Sequence, residues 1–232
     1  MLASWSDAAA SLLLGAACPG CRTPGAQLCP SCAAVVADPA PFEVADGIVA
    51  AAAYDGLWQH CIVAYKERAG WWLGAPLGRA LALAVGELLA AGLGRPATLV
   101  LVPMPSQARA VRERGLDTTL VLARVAARTL ASAGLPTRVE PALHHARVVA
   151  DQAGLGERDR HTNLVGALVA RRGAAALRVV VDDLTTTGAS LAEARRALAE
   201  AGTPASGCAV VAATPRRRGD RHGQGGGRVR SP

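Results

Sequence analysis

Aromatic residues are scarce in this chain: four Trp, two Tyr and one Phe among 232 residues. Proteins that grip single-stranded nucleic acid tightly do so by stacking bases on rows of aromatic rings. So few rings argue against such a surface, and Trp71-Trp72 is the one pair placed to act as a small stacking platform. Lysine is rarer still. Lys66 is the only lysine among 25 basic residues, the rest being arginine. Together with the abundance of Ala, Val, Leu and Gly, this skew reflects GC-rich codons, and a lysine that survives it marks a role arginine does not fill. No apolar run reaches the length of about 18 residues that a membrane-spanning helix needs. The stretch Leu12-Leu13-Leu14-Gly15-Ala16-Ala17-Cys18 looks superficially like a lipoprotein cleavage site. However, none of the first 21 residues is Lys or Arg, and Asp7 interrupts the apolar segment, whereas an export signal needs a positive n-region. The expectation is a cytoplasmic chain with no membrane insertion. A Gly-x-x-x-x-Gly-Lys stretch is also missing, which excludes a Walker phosphate loop.

The formal charge of +7 is unevenly spread. Six arginines and one aspartate lie in residues 215–232, so most of the positive charge belongs to an Arg/Gly-rich tail. Such a tail is expected to be disordered and to bind polyanions weakly. Three parts follow: residues 1–46 as an N-terminal helix, cysteine module and linker; 47–214 as the main domain; and 215–232 as the tail. Within the first part, the pattern predicts a helix over 2–14, a cysteine-rich loop over 17–33 and a linker over 34–46. Strands are predicted at 47–54, 98–102, 178–181 and 207–213. Helices are predicted at 57–68, 75–92, 116–133 and 189–201, with a loop at 182–188. Residues 136–170 are weakly patterned, with one short helix at 157–165. Strands alternating with helices indicate an α/β domain with a mostly parallel sheet.

The strongest chemical signal is Val179-Val180-Val181-Asp182-Asp183-Leu184-Thr185-Thr186-Thr187-Gly188-Ala189-Ser190. A buried strand delivers two carboxylates to its carboxyl end, where α/β sheets bind ligands. A loop of three threonines and a glycine then opens a helix. Helix N-termini present unpaired N–H groups and suit a phosphate. Gly188 permits close backbone approach, and the hydroxyls of Thr186, Thr187 and Ser190 can donate to phosphate oxygens. Carboxylates accept hydrogen bonds from the vicinal hydroxyls of a ribose. The plainer alternative is a strand ending in Asp, with Thr or Ser capping the next helix.

A second signal is Cys18-Pro19-Gly20-Cys21, seven residues, then Cys29-Pro30-Ser31-Cys32. Two CxxC knuckles can place four thiolates around one tetrahedral Zn²⁺. Two disulfides are the alternative, which a reducing compartment disfavours. With four protein ligands no position stays open for water, so the zinc would be structural. Cys61 and Cys208, in apolar stretches, read as core thiols. A third signal is Val102-Pro103-Met104-Pro105-Ser106 followed by Arg109, Arg112 and Arg114-Gly115. A turn after a strand with several arginines suits a pyrophosphate, or is simply a solvated Arg-rich helix start.

The Asp-Asp to Ser190 segment resembles the phosphoribosyl-pyrophosphate motif of type I phosphoribosyltransferases. The order of the four features (cysteine module, Val-Pro-x-Pro loop, Arg-x-Arg-Gly, Asp-Asp-x-x-Thr-Thr-Gly-Ala-Ser) is similar to the ComF family of phosphoribosyltransferase-like competence proteins. The likeness covers about 17–213, with further matches at Tyr54-Asp55-Gly56, Lys66, Gln152, Arg158, Asn163 and Gly166. The resemblance implies a type I phosphoribosyltransferase fold with a small four-cysteine zinc module, and binding of Mg²⁺–phosphoribosyl pyrophosphate. Asp182 and Asp183 would hold the ribose hydroxyls. Thr185, Thr186, Thr187, Gly188, Ala189 and Ser190 would wrap the 5′-phosphate. Pro105, Ser106, Arg112 and Arg114 would meet the pyrophosphate, with Lys66 beside the site. It also implies a role in DNA uptake, with single-stranded DNA and the competence helicase as partners, while a homo-oligomer and the acceptor base are left open. The sequence departs at 114–118, where Arg-Gly-Leu-Asp-Thr stands in place of the frequent Arg-Gly-Phe-Asn-Gln. Asp117 thereby adds a negative charge near the expected pyrophosphate.

Overall fold

The computed structural model describes residues 17–24, 27–45, 47–67, 70–146 and 166–214. The helices expected at 2–14 and 157–165, the tail, and Gln152, Arg158 and Asn163 lie outside them. The fold is mixed α/β, as the alternation of elements indicated. Its main sheet has six strands: β1 (Phe42–Ala45), β2 (Ile48–Ala53), β3 (Leu99–Pro103), β4 (Thr137–Val139), β7 (Leu177–Thr185) and β8 (Gly207–Ala213). They lie in the order β1-β2-β8-β7-β3-β4. Only the β1–β2 pair is antiparallel. Every residue of β3 and β8 is buried, which is why both read as unbroken apolar runs: a parallel sheet is covered on both faces.

Alternation along β7 divides the core in two. Val179 and Val181 face one layer, made with α2 (Gly56–Glu67), α3 (Gly74–Leu88) and α5 (Thr118–Ser132). Val180 faces the other, made with α6 (Ala189–Glu200) and a separate two-stranded antiparallel ribbon, β5 (Leu143–His145) with β6 (Leu168–Ala170). Helices α3 and α5 pack closely at Gly78. A methyl group there would sit 2.5 Å from Val125 Cβ and 3.1 Å from the Leu122 carbonyl oxygen, so the small residue sets the helix separation. The segment Trp71–Leu93 is long and apolar enough to span a membrane by length and composition, but 61% of its apolar window is buried against the rest of the chain. Its apolarity serves the core.

Several boundaries differ from the sequence reading. Residues 30–37 form a helix, α1 (Pro30–Ala37), where loop and linker were expected. Pro30 stands at its first turn, where a missing N–H costs nothing. The remainder of the expected linker contributes edge strand β1, folded back on β2 through Gly47 at φ +68°. Residues 108–114 form α4 (Ala108–Arg114), closed by left-handed Gly115. Strand β7 runs to Thr185 rather than stopping at Val181. Its polar end is held in the sheet by β8, which pairs with it up to Thr185 opposite Ala213.

Candidate functional site

A cavity of about 420 Å³ opens at the carboxyl edge of β3 and β7. Asp182 from β7, Ser190 from α6, Lys66 from α2 and Arg114 from α4 all line it. Because β7 stays extended through 182–183, successive Cβ atoms leave opposite faces of the sheet, and the two aspartates have different surroundings. Asp182 borders the cavity, and its Oδ1 accepts the N–H of Asp183 at 2.8 Å. Burial pushes its carboxyl well above the ordinary carboxylate range, and the neighbouring Asp183 charge adds to this; Lys66 and the backbone N–H act in the opposite sense. Asp183 is 2% exposed. Lys66 Nζ donates to its Oδ1 at 2.8 Å and lies 2.7 Å from Oδ2, although outside hydrogen-bond geometry to that second oxygen. The lone lysine of the chain is thus the counter-ion of a buried carboxylate. Its neighbour Tyr65 is buried and donates to the Thr118 carbonyl at 2.9 Å. Burial raises the Tyr65 phenol, with further upward contributions from the charges of Asp183 and Asp117.

After β7, Thr186 and Thr187 are exposed on the loop, and Gly188 takes the left-handed conformation at φ +82° before α6 begins. Thr187 Oγ1 accepts the Ala189 N–H at 3.4 Å. Thr185, by contrast, has a buried side chain as the last residue of β7. Of this segment, Asp182 and Ser190 line the cavity.

The turn after β3 supplies Met104, Pro105 and Ser106 to the lining. It is fastened at two points. Ser106 Oγ donates to Asp117 Oδ1 at 2.8 Å, and His145 Nε2 lies 3.0 Å from the Pro105 carbonyl oxygen. Asp117 Oδ1 also accepts the Leu120 N–H at 3.0 Å as the N-cap of α5. The extra carboxylate of the departing Arg-Gly-Leu-Asp-Thr stretch therefore has a structural occupation. Among the arginines, Arg114 borders the cavity with its Nε buried and unpaired. Arg112 is exposed on α4 outside the lining, and Arg109 pairs with Glu113 at 2.7 Å on the surface.

The same helix that carries Ser190 holds groups that the sequence pattern did not single out. Glu193 of α6 is buried and paired with Arg196 at 2.7 Å. The Arg196 hydrogen bond keeps the Glu193 carboxyl below its ordinary range, burial notwithstanding. Together they grip β6: Glu193 Oε1 accepts the Leu168 N–H at 3.0 Å, and Arg196 Nη2 donates to the Leu168 carbonyl at 2.9 Å. Only the spacing Glu193–Arg196 on a helix was available in the sequence, and that is common on solvated faces.

The cysteine array comes together as its spacing indicated. Sulfur atoms of Cys18, Cys21, Cys29 and Cys32 all lie within 4.8 Å of one another and could hold a metal ion such as zinc. Tetrahedral Zn–S bonds of about 2.3 Å put the sulfurs about 3.8 Å apart. Burial alone would raise the Cys18 thiol, but the N–H groups of Cys21, Cys29 and Gly20 outweigh it and leave it below its usual value. Thr23, through hydroxyl and backbone, lowers Cys21 to about 6, with the Cys29 side chain assisting. Cys32 moves the other way, raised by burial and by the neighbouring thiols. The module rests on α2, because a methyl at Gly20 would collide with Leu57 and stand 2.8 Å from Cys32 Sγ. Cys61 and Cys208 are buried thiols, pushed up to about 12 by burial. No protein-family model matches this chain, and no curated protein is significantly similar to it.

Proposed function

We propose that the chain is a phosphoribosyltransferase-type protein that binds Mg²⁺–phosphoribosyl pyrophosphate in the cavity at the sheet edge and presents its anomeric carbon to a nitrogen nucleophile. The observation that carries this reading is that Asp182 and Ser190 line the same cavity, bracketing left-handed Gly188 at the start of a 12-residue helix. A ribose 5′-phosphate at the α6 N-terminus would meet N–H groups, the positive end of the helix dipole and the Ser190 hydroxyl. Asp182 would accept the ribose hydroxyls. The Arg114 guanidinium and the fastened turn 104–106 face the same space and suit the pyrophosphate. Mg²⁺ arrives with the substrate, held largely by phosphate oxygens and water, and asks little more of the protein than a carboxylate such as Asp182.

The expectation that both aspartates hold the ribose is narrowed here. Asp183 is buried under Lys66 and acts as the positioning group that aims the lysine at the cavity rim. Catalysis is then positioning and electrostatic stabilisation of the departing pyrophosphate, with no covalent protein nucleophile. The four thiolates form a closed structural zinc site. The order of motifs adds the ComF resemblance, and with it a role in DNA uptake beside single-stranded DNA and the competence helicase. The exposed Trp71 is the side chain that could stack on a base.

Calorimetric titration of Mg²⁺–phosphoribosyl pyrophosphate into wild type and Asp182→Asn tests the reading. Micromolar binding that the variant loses supports it. A folded, metal-loaded wild type that binds none overturns it, and a non-enzymatic scaffold in DNA uptake becomes the better reading.

A further inference from the structure

We infer that His145 receives the acceptor: its Nδ1 is the group in the cavity that takes a hydrogen bond, and then a proton, from the ring N–H of a planar nitrogen heterocycle. His145 Nε2 stands 3.0 Å from the Pro105 carbonyl oxygen. A carbonyl oxygen only accepts, so Nε2 must carry the hydrogen. In the neutral ring the lone pair then resides on Nδ1, and the imidazole is a hydrogen-bond acceptor towards whatever it faces. His145 is exposed and lines the cavity.

The ring is also held in place. His145 pairs with Leu168 across the β5–β6 ribbon, and the Ala146 N–H donates to the Ala167 carbonyl at 2.9 Å. Leu168 is itself locked to α6 by Glu193 and Arg196. Rigid support of this kind is what a group needs if it is to meet a substrate at a fixed angle. The lining contributed by the turn that His145 contacts and by the strand it pairs with includes the apolar residues Met104, Pro105, Ala167 and Leu168, together with Ser106 and Gln107. Of the five charged lining groups, Lys66 and Asp182 cluster around Asp183; Glu67, Arg114 and Glu193 are the others. Apolar lining beside an oriented acceptor suits the flat face and N–H edge of a heterocycle. Glu193 is committed to Arg196 and the Leu168 N–H.

The inference takes its co-substrate from the transferase reading. The heterocycle nitrogen forms its bond to the anomeric carbon as the bond from that carbon to pyrophosphate oxygen breaks, the electron pair leaving with pyrophosphate. The ring N–H proton passes to Nδ1 and from there to water.

The test uses full-length protein with ¹⁵N-labelled histidine, the His145 resonances being assigned by their loss in His145→Gln. Glutamine can still donate to the Pro105 carbonyl but offers nothing at the Nδ1 position. Adenine, hypoxanthine and uracil are each added to the protein saturated with Mg²⁺–phosphoribosyl pyrophosphate. At least one is expected to move the His145 Nδ1 resonance and, in His145→Gln, to bind about tenfold more weakly, while affinity for Mg²⁺–phosphoribosyl pyrophosphate stays within about twofold. If none moves Nδ1 although the phosphoribosyl donor binds, the inference is wrong and the transferase reading stands. If a base moves Nδ1 but the donor never binds, the heterocycle site stands and the transferase reading falls.

Discussion

Lys66 and Asp183 are 117 residues apart in sequence and form one ion pair, with the ammonium within 2.8 Å of both carboxylate oxygens. The pair is lopsided in exposure: the lysine side chain is 34% accessible and the aspartate 3%. Removing the lysine strands a buried charge. Breaking a fully buried pair costs about 3–5 kcal/mol, but water can reach the site Lys66 vacates, so Lys66→Met is expected to cost about 1–3 kcal/mol. The double variant Lys66→Met/Asp183→Asn has no stranded charge and should recover most of that loss. Urea unfolding of wild type, Lys66→Met, Asp183→Asn and the double variant measures the coupling. A double variant no better than Lys66→Met would mean that the pair is not what holds the end of α2.

Asp182 makes the opposite prediction. Its carboxyl is raised in the folded chain by burial and by Asp183, so the folded state holds a proton that the unfolded state releases at lower pH. Stability from this group is therefore fully present below the ordinary carboxylate range and is lost as pH rises from that range through the raised value. Asp182→Asn removes the penalty. The variant should be more stable than wild type at neutral pH, by a margin that shrinks on acidification, while losing affinity for Mg²⁺–phosphoribosyl pyrophosphate. Denaturant midpoints at several pH values, taken as the difference between the two proteins, show the trend. A residue kept at a cost to stability is what a binding role predicts.

Legibility in the sequence followed the range of the forces involved. Apolar runs revealed β3, the Val179–Val181 stretch of β7, and β8, because strands covered on both faces of a parallel sheet carry few polar positions to blur the pattern. The cysteine cluster was legible from spacing alone, since metal geometry is local. What escaped depended on distant partners. β5 and β6 are three-residue strands, and Leu168 is held by Glu193 and Arg196 from another element. Without that grip neither strand has enough local preference to be read, and His145 goes unnoticed with them. The polar stretch Asp182–Thr185 reads as a loop until β8 pairs with it from the side. The start of α1 hid among cysteines, although Pro30 after Cys29 was a usable sign.

The cysteine cluster predicts one zinc ion per chain, measurable by elemental analysis of the purified protein, and loss of that metal in Cys32→Ser. Gly20→Ala is the finer probe. It keeps all four thiols yet places a methyl against Leu57 and 2.8 Å from Cys32 Sγ. One of those contacts is a sulfur of the cluster, which cannot retreat without moving away from the other three. Overpacking of this kind costs about 1–3 kcal/mol. Faster zinc loss to a chelator in Gly20→Ala than in wild type, read with a colorimetric indicator, is the expected result. Equal rates would show that the knuckle does not press on α2.

Asp117 is one of three residues, with Leu116 and Thr118, at which the 114–118 stretch leaves the family pattern it resembles, and its geometry explains why that change is tolerable. A single oxygen, Oδ1, accepts both the Ser106 hydroxyl and the Leu120 N–H. Neither bond requires the full charge of a carboxylate, because an amide oxygen accepts in the same place. Asp117→Asn should therefore fold within about 0.5 kcal/mol of wild type, since Asn and Asp cap helices about equally well. Asp117→Ala removes the cap of α5 and frees Ser106 together, and is expected to cost about 1–2 kcal/mol. The two variants also separate charge from architecture at the cavity. If the negative charge repels pyrophosphate, Asp117→Asn binds Mg²⁺–phosphoribosyl pyrophosphate more tightly than wild type. If the aspartate serves only to fasten the turn after β3, Asp117→Asn binds as wild type does and Asp117→Ala alone is weakened. The two hydrogen bonds shared at Oδ1 favour the second result, because they hold the carboxylate towards the turn and the helix it caps.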